Sequence, residues 1–283
     1  MKKKSRGGWL AAPMGLWSAA FVGVSLLYII GLSLLKSNGA MGTTGELTLE
    51  NYQRMLAPSY LQVLVKSLEM ALATTLMCLV IGYPFGYLMA RAKKRVRNLL
   101  MMLIIVPFWT NALIRIYGWK ILLAANGPIN AALMALGIIQ EPLKMLYTDG
   151  AVLVGMVYAL IPFMILPAFT SVDKMDWSVV EASRDLGAKR WQAFLTVTFP
   201  LTLSGVMSGC VLVFIPSIGL FFLSDLLGGS KNVLAGNLIN TAMTKSRDLP
   251  FAAALSVVLL AVTGAIIALQ RRAGGSSGDM NIF

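Results

Sequence analysis

The chain has 283 residues, 57% hydrophobic and only 13% charged, with a formal net charge of +12. Soluble domains carry about a quarter charged residues, so the composition argues against a soluble enzyme and for a membrane protein. There is no histidine, and the two cysteines, Cys78 and Cys210, both lie in apolar runs, which removes the usual zinc-ligand patterns and leaves no disulfide framework to expect.

Residues 1–8 form a basic N-terminal tail. The charge-free run at 9–35 that follows is about twice the length of a signal-peptide apolar core, so it reads as a retained first span. Further charge-free runs occupy 70–90, 98–114, 150–172, 191–224 and 249–270. Each is near or above the roughly 20 apolar residues that cross a bilayer. The run at 98–114 is short and is expected to extend past Arg115. Between it and the next run, ILLAANGPINAALMALGIIQ at 121–140 is also free of charge. Its Asn126-Gly127-Pro128 breaks a helix, so this segment is expected to be re-entrant or interfacial and not a seventh span.

The expected architecture is therefore all-α, with six transmembrane helices in residues 9–270 and a small, polar, disordered tail at 271–283. With six spans, 15 Lys and Arg fall in the N-terminus, 91–97, 172–190 and the C-terminal tail, against 8 in the three longer opposite loops. By the positive-inside rule both termini are cytoplasmic. The basic balance thus reflects topology, and no nucleic-acid partner is expected. Pro84, Pro107, Pro162, Pro167, Pro200 and Pro216 lie in or at the ends of spans. Each weakens a helical turn, and together they favour a bundle that rearranges around a polar path over a rigid anchor.

One segment is polar between apolar spans. Residues 173–190, DKMDWSVVEASRDLGAKR, carry both charge signs and fall on the cytoplasmic side. Trp177 to Leu186 has helical spacing, with Trp177, Val180 and Leu186 as a candidate apolar edge and Glu181, Arg184 and Asp185 on wetter sides. Ala182 and Ser183 are small enough for close approach, and Gly187 allows a turn at the helix end.

Glu181-Ala182-Ser183, three residues, Gly187, nine residues, Val197, one residue, Phe199-Pro200 resembles the EAA loop of ABC importer permeases. Ser183, Val197 and Phe199 depart from that family's Ala, Ile and Leu while the spacing is kept. The resemblance implies the type I ABC importer permease fold, with 173–200 as a coupling loop. Its helix, through Glu181, Ala182, Ser183 and Gly187, would dock on an ATPase subunit. No G-x-x-x-x-G-K-[ST] occurs; the nearest stretch is Gly228-Gly229-Ser230-Lys231. ATP and Mg are therefore expected on a separate ATPase, with no cofactor on this chain and no catalytic or metal-binding residues.

The resemblance extends to spermidine/putrescine permeases in LTLENYQRML (47–56), IGYPFGYLMA (81–90), IVPFWTNALIRIYGWKILL (105–123) and LFFLSDLLGGSKNVLAGNLI (220–239). It implies a polyamine importer in a bacterial inner membrane, with a second, different permease subunit, two copies of an ATPase and a periplasmic substrate-binding protein. Polyamines are cationic, so carboxylates and aromatic faces are the candidate contacts. These are Asp225, taken as the end of the fifth span, Glu69, taken as the start of the second, and Trp109, Tyr117 and Tyr158. Arg115 and Lys120 sit awkwardly with a cation path. A sister importer for an opine, thiamine, iron or sulfate, or an ATP-independent secondary transporter, is the alternative.

Overall fold

The computed structural model describes residues 7–39, 42–229 and 233–274, with side chains described between residues 13 and 270. The chain begins with helix α1 (Gly7–Ser33), a hairpin of β1 (Leu35–Ser37) and β2 (Thr43–Leu47), and helix α2 (Glu50–Met55). Helices α3 (Pro58–Arg91), α4 (Lys94–Phe108), α5 (Ala112–Leu122), α6 (Pro128–Ala135) and α7 (Asp149–Asp173) follow. The short α8 (Trp177–Asp185) precedes α9 (Arg190–Ala193), a π-helical turn (Phe194–Thr198) and α10 (Phe199–Gly219), which run on without a break. After α11 (Phe221–Leu223) and a second π-turn (Ser224–Gly228) come α12 (Ala235–Thr244) and α13 (Leu249–Gly274).

Among the described residues, five helices are long and apolar enough to cross a membrane: α1 from Pro13, α3, α7, the 190–219 helix and α13 to Gln270. Helices α4 and α5 pass the same test together, bent by 94°. Six spans thus match the expected count, but the third does not run straight past Arg115. Pro107 lacks an N–H, Thr110 donates its hydroxyl to Pro107 O at 2.7 Å, and Asn111 caps the next helix by accepting from Leu113 N at 2.8 Å. The chain therefore stops and restarts at Trp109–Asn111. The predicted break at Asn126-Gly127-Pro128 is present: α5 ends before it and α6 starts with Pro128 at its first position. Helix α13 reaches Gly274, past the expected end of the spans, and residues 275–283 of the expected tail lie outside the described residues.

The β1–β2 hairpin departs from the all-helical expectation. It is antiparallel, with Leu35 opposite Leu47 and Ser37 opposite Thr43. Strands of three and five residues leave almost no periodic signal in a sequence.

The structure forms two compact units. One comprises the chain to Leu61 together with Leu238–Gly264. Its core gathers Met55, Ala242, Phe251, Ala254 and Leu255. Arg54 Nη1 donates to Asp248 Oδ2 at 2.8 Å, and its guanidinium lies 4.3 Å from the Phe251 ring centroid. Burial pulls the Arg54 pKa down, but the hydrogen bond and charge of Asp248 outweigh it and leave it raised.

The other unit centres on Gln62–Asn237. Here α7 is packed against both α3 and α10, and each neighbour meets it through glycines four residues apart. A Cβ at Gly86 of α3 would lie 3.0 Å from Phe169 N, and one at Gly205 of α10 would lie 2.7 Å from Pro167 O. Gly82 and Gly209 meet Met164 the same way. Small residues spaced by four let membrane helices approach closely enough for dispersion to hold them without a hydrophobic drive. Cys78 and Cys210 are free thiols in one apolar cluster with Leu160, Met164 and Val213.

Candidate functional site: the coupling helix and its joint

The C-terminal end of α7 leads directly into α8. Asp176 caps α8 by accepting from Ser178 N at 3.0 Å, and that hydrogen bonding holds its carboxyl below the usual carboxylate range. At the other end Gly187 adopts φ +93°. Gly187 N donates to Arg184 O at 2.9 Å and Ala188 N to Ser183 O at 3.1 Å. This is a complete Schellman stop, and it needs a residue tolerant of the left-handed region. The predicted turn at Gly187 is therefore present.

One face of α8 lies against the bundle. Trp177 meets the Tyr87 ring of α3 edge-on at 6.1 Å, and Arg91 places its guanidinium 5.1 Å from the Trp177 ring. Arg91 Nη1 also donates to Tyr87 Oη at 3.2 Å. Phe194 stands edge-on to Tyr87 at 5.7 Å, Phe199 to Tyr83 at 5.7 Å, and Tyr83 Oη pairs with Thr202 Oγ1 at 2.8 Å. A cavity of about 340 Å³ opens among Tyr87, Arg91, Trp177, Glu181, Arg190 and Phe194. The side chains that join α8 to α3 thus touch the π-turn as well. That turn precedes Pro200, which offers no N–H to the preceding turn, and π-turns are typical where a helix must bend.

The opposite face of α8 is open. Glu181 and Ala182 are exposed, Ser183 is half-buried with its hydroxyl returned to Val180 O at 2.8 Å, and Leu186 is 90% exposed. This corrects the expected apolar edge. At 100° per residue Val180 falls beside Trp177, whereas Leu186, nine residues on, lies half a turn away. Trp177 and Val180 face the bundle, with Glu181 beside Trp177 at the rim of the cavity they line; Leu186 projects outward with Ala182.

The chain matches the model of the binding-protein-dependent transport system inner membrane component over residues 82–272. It is 49% identical over 226 residues to the spermidine/putrescine transport system permease protein PotB of Escherichia coli (strain K12), covering 80% of this chain and 82% of that protein. The namesake protein of Haemophilus influenzae is 44% identical over 227 residues, covering 80% of this chain and 79% of that protein.

This chain belongs to that permease family. A solved bacterial alginate ABC transporter, in complex with an alginate pentasaccharide-bound periplasmic protein, shares the fold at a TM-score of 0.74 and 14% identity, covering 95% of this chain and 96% of that one. The type I ABC importer permease fold expected from the sequence is the fold observed.

Among the described residues no hydrogen bond, ion pair or ring contact joins the permease's candidate path residues to one another. Tyr158 stands edge-on to Trp119 at 5.5 Å, and Arg115 lies 5.9 Å from the Tyr158 ring and 5.1 Å from the Phe108 ring, with its Nε buried and without a hydrogen-bond partner among the described residues. A cation of the permease itself already occupies those ring faces. Tyr117 is half-exposed beneath Lys120 at 5.7 Å, and Trp109 is 83% exposed at the α4–α5 corner.

Glu69 does not open its span. Helix α3 starts at Pro58, whose missing N–H costs nothing at a first position, and Glu69 is an exposed residue within the helix. Asp225 does not end the fifth span, because α10 stops at Gly219 and Asp225 sits in the π-turn beyond. Asn237 Nδ2 donates to both Asp225 Oδ1 at 2.6 Å and Phe221 O at 3.1 Å, satisfying groups that the break releases.

Sequence reasoning missed Tyr87, Arg91 and Phe194 as the seat of the coupling helix. The available signal was two aromatics and a cation at 83, 87 and 91, a spacing that puts all three on one face of α3.

Proposed function

We propose that this permease is the membrane-spanning subunit of an ATP-driven importer that carries polyamines of the spermidine and putrescine class by alternating access. The observation that carries the substrate class is the 49% identity over 80% of the chain to proteins named spermidine/putrescine permeases. A second permease subunit, two ATPase copies holding ATP and Mg, and a periplasmic binding protein complete the assembly in a bacterial inner membrane.

The geometry supports a division of labour along α7. Arg97 donates to Asp173 Oδ1 at 2.9 Å, which brings the basic 91–97 turn to the same end as α8. Both basic stretches then face the cytoplasm, and both termini with them. An ATPase pressing on Glu181, Ala182, Ser183 and Leu186 would push α8 as a unit with the end of α3, through Trp177, Tyr87 and Arg91, while Gly187 and the π-turn absorb the change of angle. Glu69, Asp225, Trp109, Tyr117 and Tyr158 are the proposed path residues, because carboxylates and ring faces are the groups that attract an ammonium.

The test is uptake of labelled spermidine and putrescine, against thiamine, ferric iron and sulfate, in cells lacking this chain and in cells with it restored. Loss of polyamine uptake alone supports the reading. Loss of another solute with polyamine uptake intact overturns the substrate.

A further inference from the structure

The cavity of about 340 Å³ beside the coupling helix carries more positive charge than the joint uses. Arg91, Arg184 and Arg190 all line it. They come from three elements: the last turn of α3, the last turn of α8 and the first residue of α9. Glu181 is the one carboxylate of that lining. The adjoining groove shares Glu181, Arg184 and Arg190 and adds Lys189 and Asp185, so four cations meet two carboxylates. Among the described residues none of these six side chains makes an ion pair.

Arg91 is already oriented. Its guanidinium lies 5.1 Å from the Trp177 ring and 5.8 Å from the Tyr87 ring, and it gives one N–H to Tyr87 Oη at 3.2 Å. A guanidinium held on ring faces keeps its other in-plane donors open, and such forks match the oxygens of a phosphate two at a time.

The cavity also lies where two spans end. Helix α3 stops at Arg91, and the 190–219 span begins at Arg190. Large apolar side chains stand exposed beside the arginines: Leu88, three residues before Arg91 on the same helix face, and Trp191 and Leu195, which follow Arg190. Exposed apolar surface at a span end faces acyl chains, and Trp is typical of the interface. Arginines just beyond it stand at the depth of the lipid headgroups.

We propose that this cavity seats the phosphate of an anionic lipid headgroup, held by Arg91, Arg184 and Arg190, with its acyl chains along Leu88, Trp191 and Leu195. Basic pockets between membrane helices are common seats for such headgroups. The surplus of positive charge disfavours a polyamine there. An acidic surface of the ATPase would meet the open face of α8, where Leu186 projects, and not the side lined by Tyr87 and Phe194. The consequence rests on the coupling-helix reading above: one phosphate links α8 to the ends of two spans.

The test counts lipids retained by the whole transporter in non-ionic detergent, by native mass spectrometry. The probes are phosphatidylglycerol, zwitterionic phosphatidylcholine, and phosphatidylglycerol with inorganic phosphate as competitor. The wild type retains phosphatidylglycerol in preference to phosphatidylcholine, and inorganic phosphate does not strip it. Arg184→Gln/Arg190→Gln weakens phosphatidylglycerol retention by about tenfold or more. Lys93→Gln/Lys94→Gln, which removes the same charge outside the lining, changes it far less. No lipid preference in the wild type overturns the proposal, as do equal losses in the two variant pairs. Displacement by inorganic phosphate overturns the lipid as the source of the phosphate. Loss of ATPase co-purification in Arg184→Gln/Arg190→Gln, with lipid retention unchanged, assigns the arginines to the ATPase and also overturns it. Lipid retention is read without any transported solute, so a failed importer reading and a failed lipid site give different results.

Discussion

Replacing Trp177 by alanine removes the main side chain that holds the coupling helix to α3. Two contacts are lost: the edge-on ring pair with Tyr87 and the guanidinium of Arg91 over the indole. The first is worth about 0.5–1.5 kcal/mol beyond area burial, and the second about 0.5–1 kcal/mol where the cation is exposed. Together they come to roughly 1.5 kcal/mol, or about tenfold in the equilibrium between a seated and a loose α8. Leu186 and Ala182 stay on the open face, so docking of an ATPase is expected to survive. The assay measures solute uptake and phosphate release in the same proteoliposomes, with co-purification of the ATPase as the assembly control. Solute moved per ATP is expected to fall severalfold in Trp177→Ala and far less in Trp177→Phe. Because Arg91 acts through the same ring, Arg91→Ala added to Trp177→Ala is expected to cost little more than the single change. An unchanged uptake-to-hydrolysis ratio in Trp177→Ala refutes the joint.

Gly205→Val drives a side chain against the carbonyl of Pro167 and the Cβ of Ser171 and is expected to cost about 3 kcal/mol or more by forcing α10 off α7, read as a lower detergent melting temperature. Arg54→Gln leaves the buried Asp248 carboxylate without its cation, for an expected loss of about 3 kcal/mol in the same melt, and Arg54→Lys should recover part of it. The Asp176 cap has a pH signature: its carboxyl pKa is depressed by the hydrogen bond from Ser178. Its support of α8 is therefore complete above the ordinary carboxylate range and is lost as pH falls through the depressed value. The protection of the Ser178 amide, its exchange rate measured against an unstructured peptide at the same pH, is expected to fall in acid in the wild type and to be low at all pH in Asp176→Ala.

The coupling segment was legible because its chemistry is local. Helical spacing from Trp177 and a glycine at the stop lie within eleven residues of one another, and each acts on its own neighbours; the Asp176 cap, equally local, went unread. Which face of α8 looks inward was half legible. Trp177 and Val180 were placed correctly, but Leu186 was grouped with them by hydrophobicity when the helical angle sets it opposite. The placing of Glu69 and Asp225 at span ends did not hold, because span ends were read from charge. Glu69 projects from an unbroken helix and Asp225 lies beyond the end of α10, so neither marks a boundary.

The sequence alone determined the solvent of this protein, the number of spans and the place of the short polar helix between the fourth and fifth of them. These follow from composition and short-range periodicity, which do not depend on what lies across the bundle. Only the tertiary structure decided that glycines of α3 and α10 clasp α7, that Trp177 rests on Tyr87 and Arg91, and that Asn130 ties the loop after α5 to Leu143. Each of those contacts joins segments distant in the chain, and their partners are set by how helices pack, which no local pattern encodes.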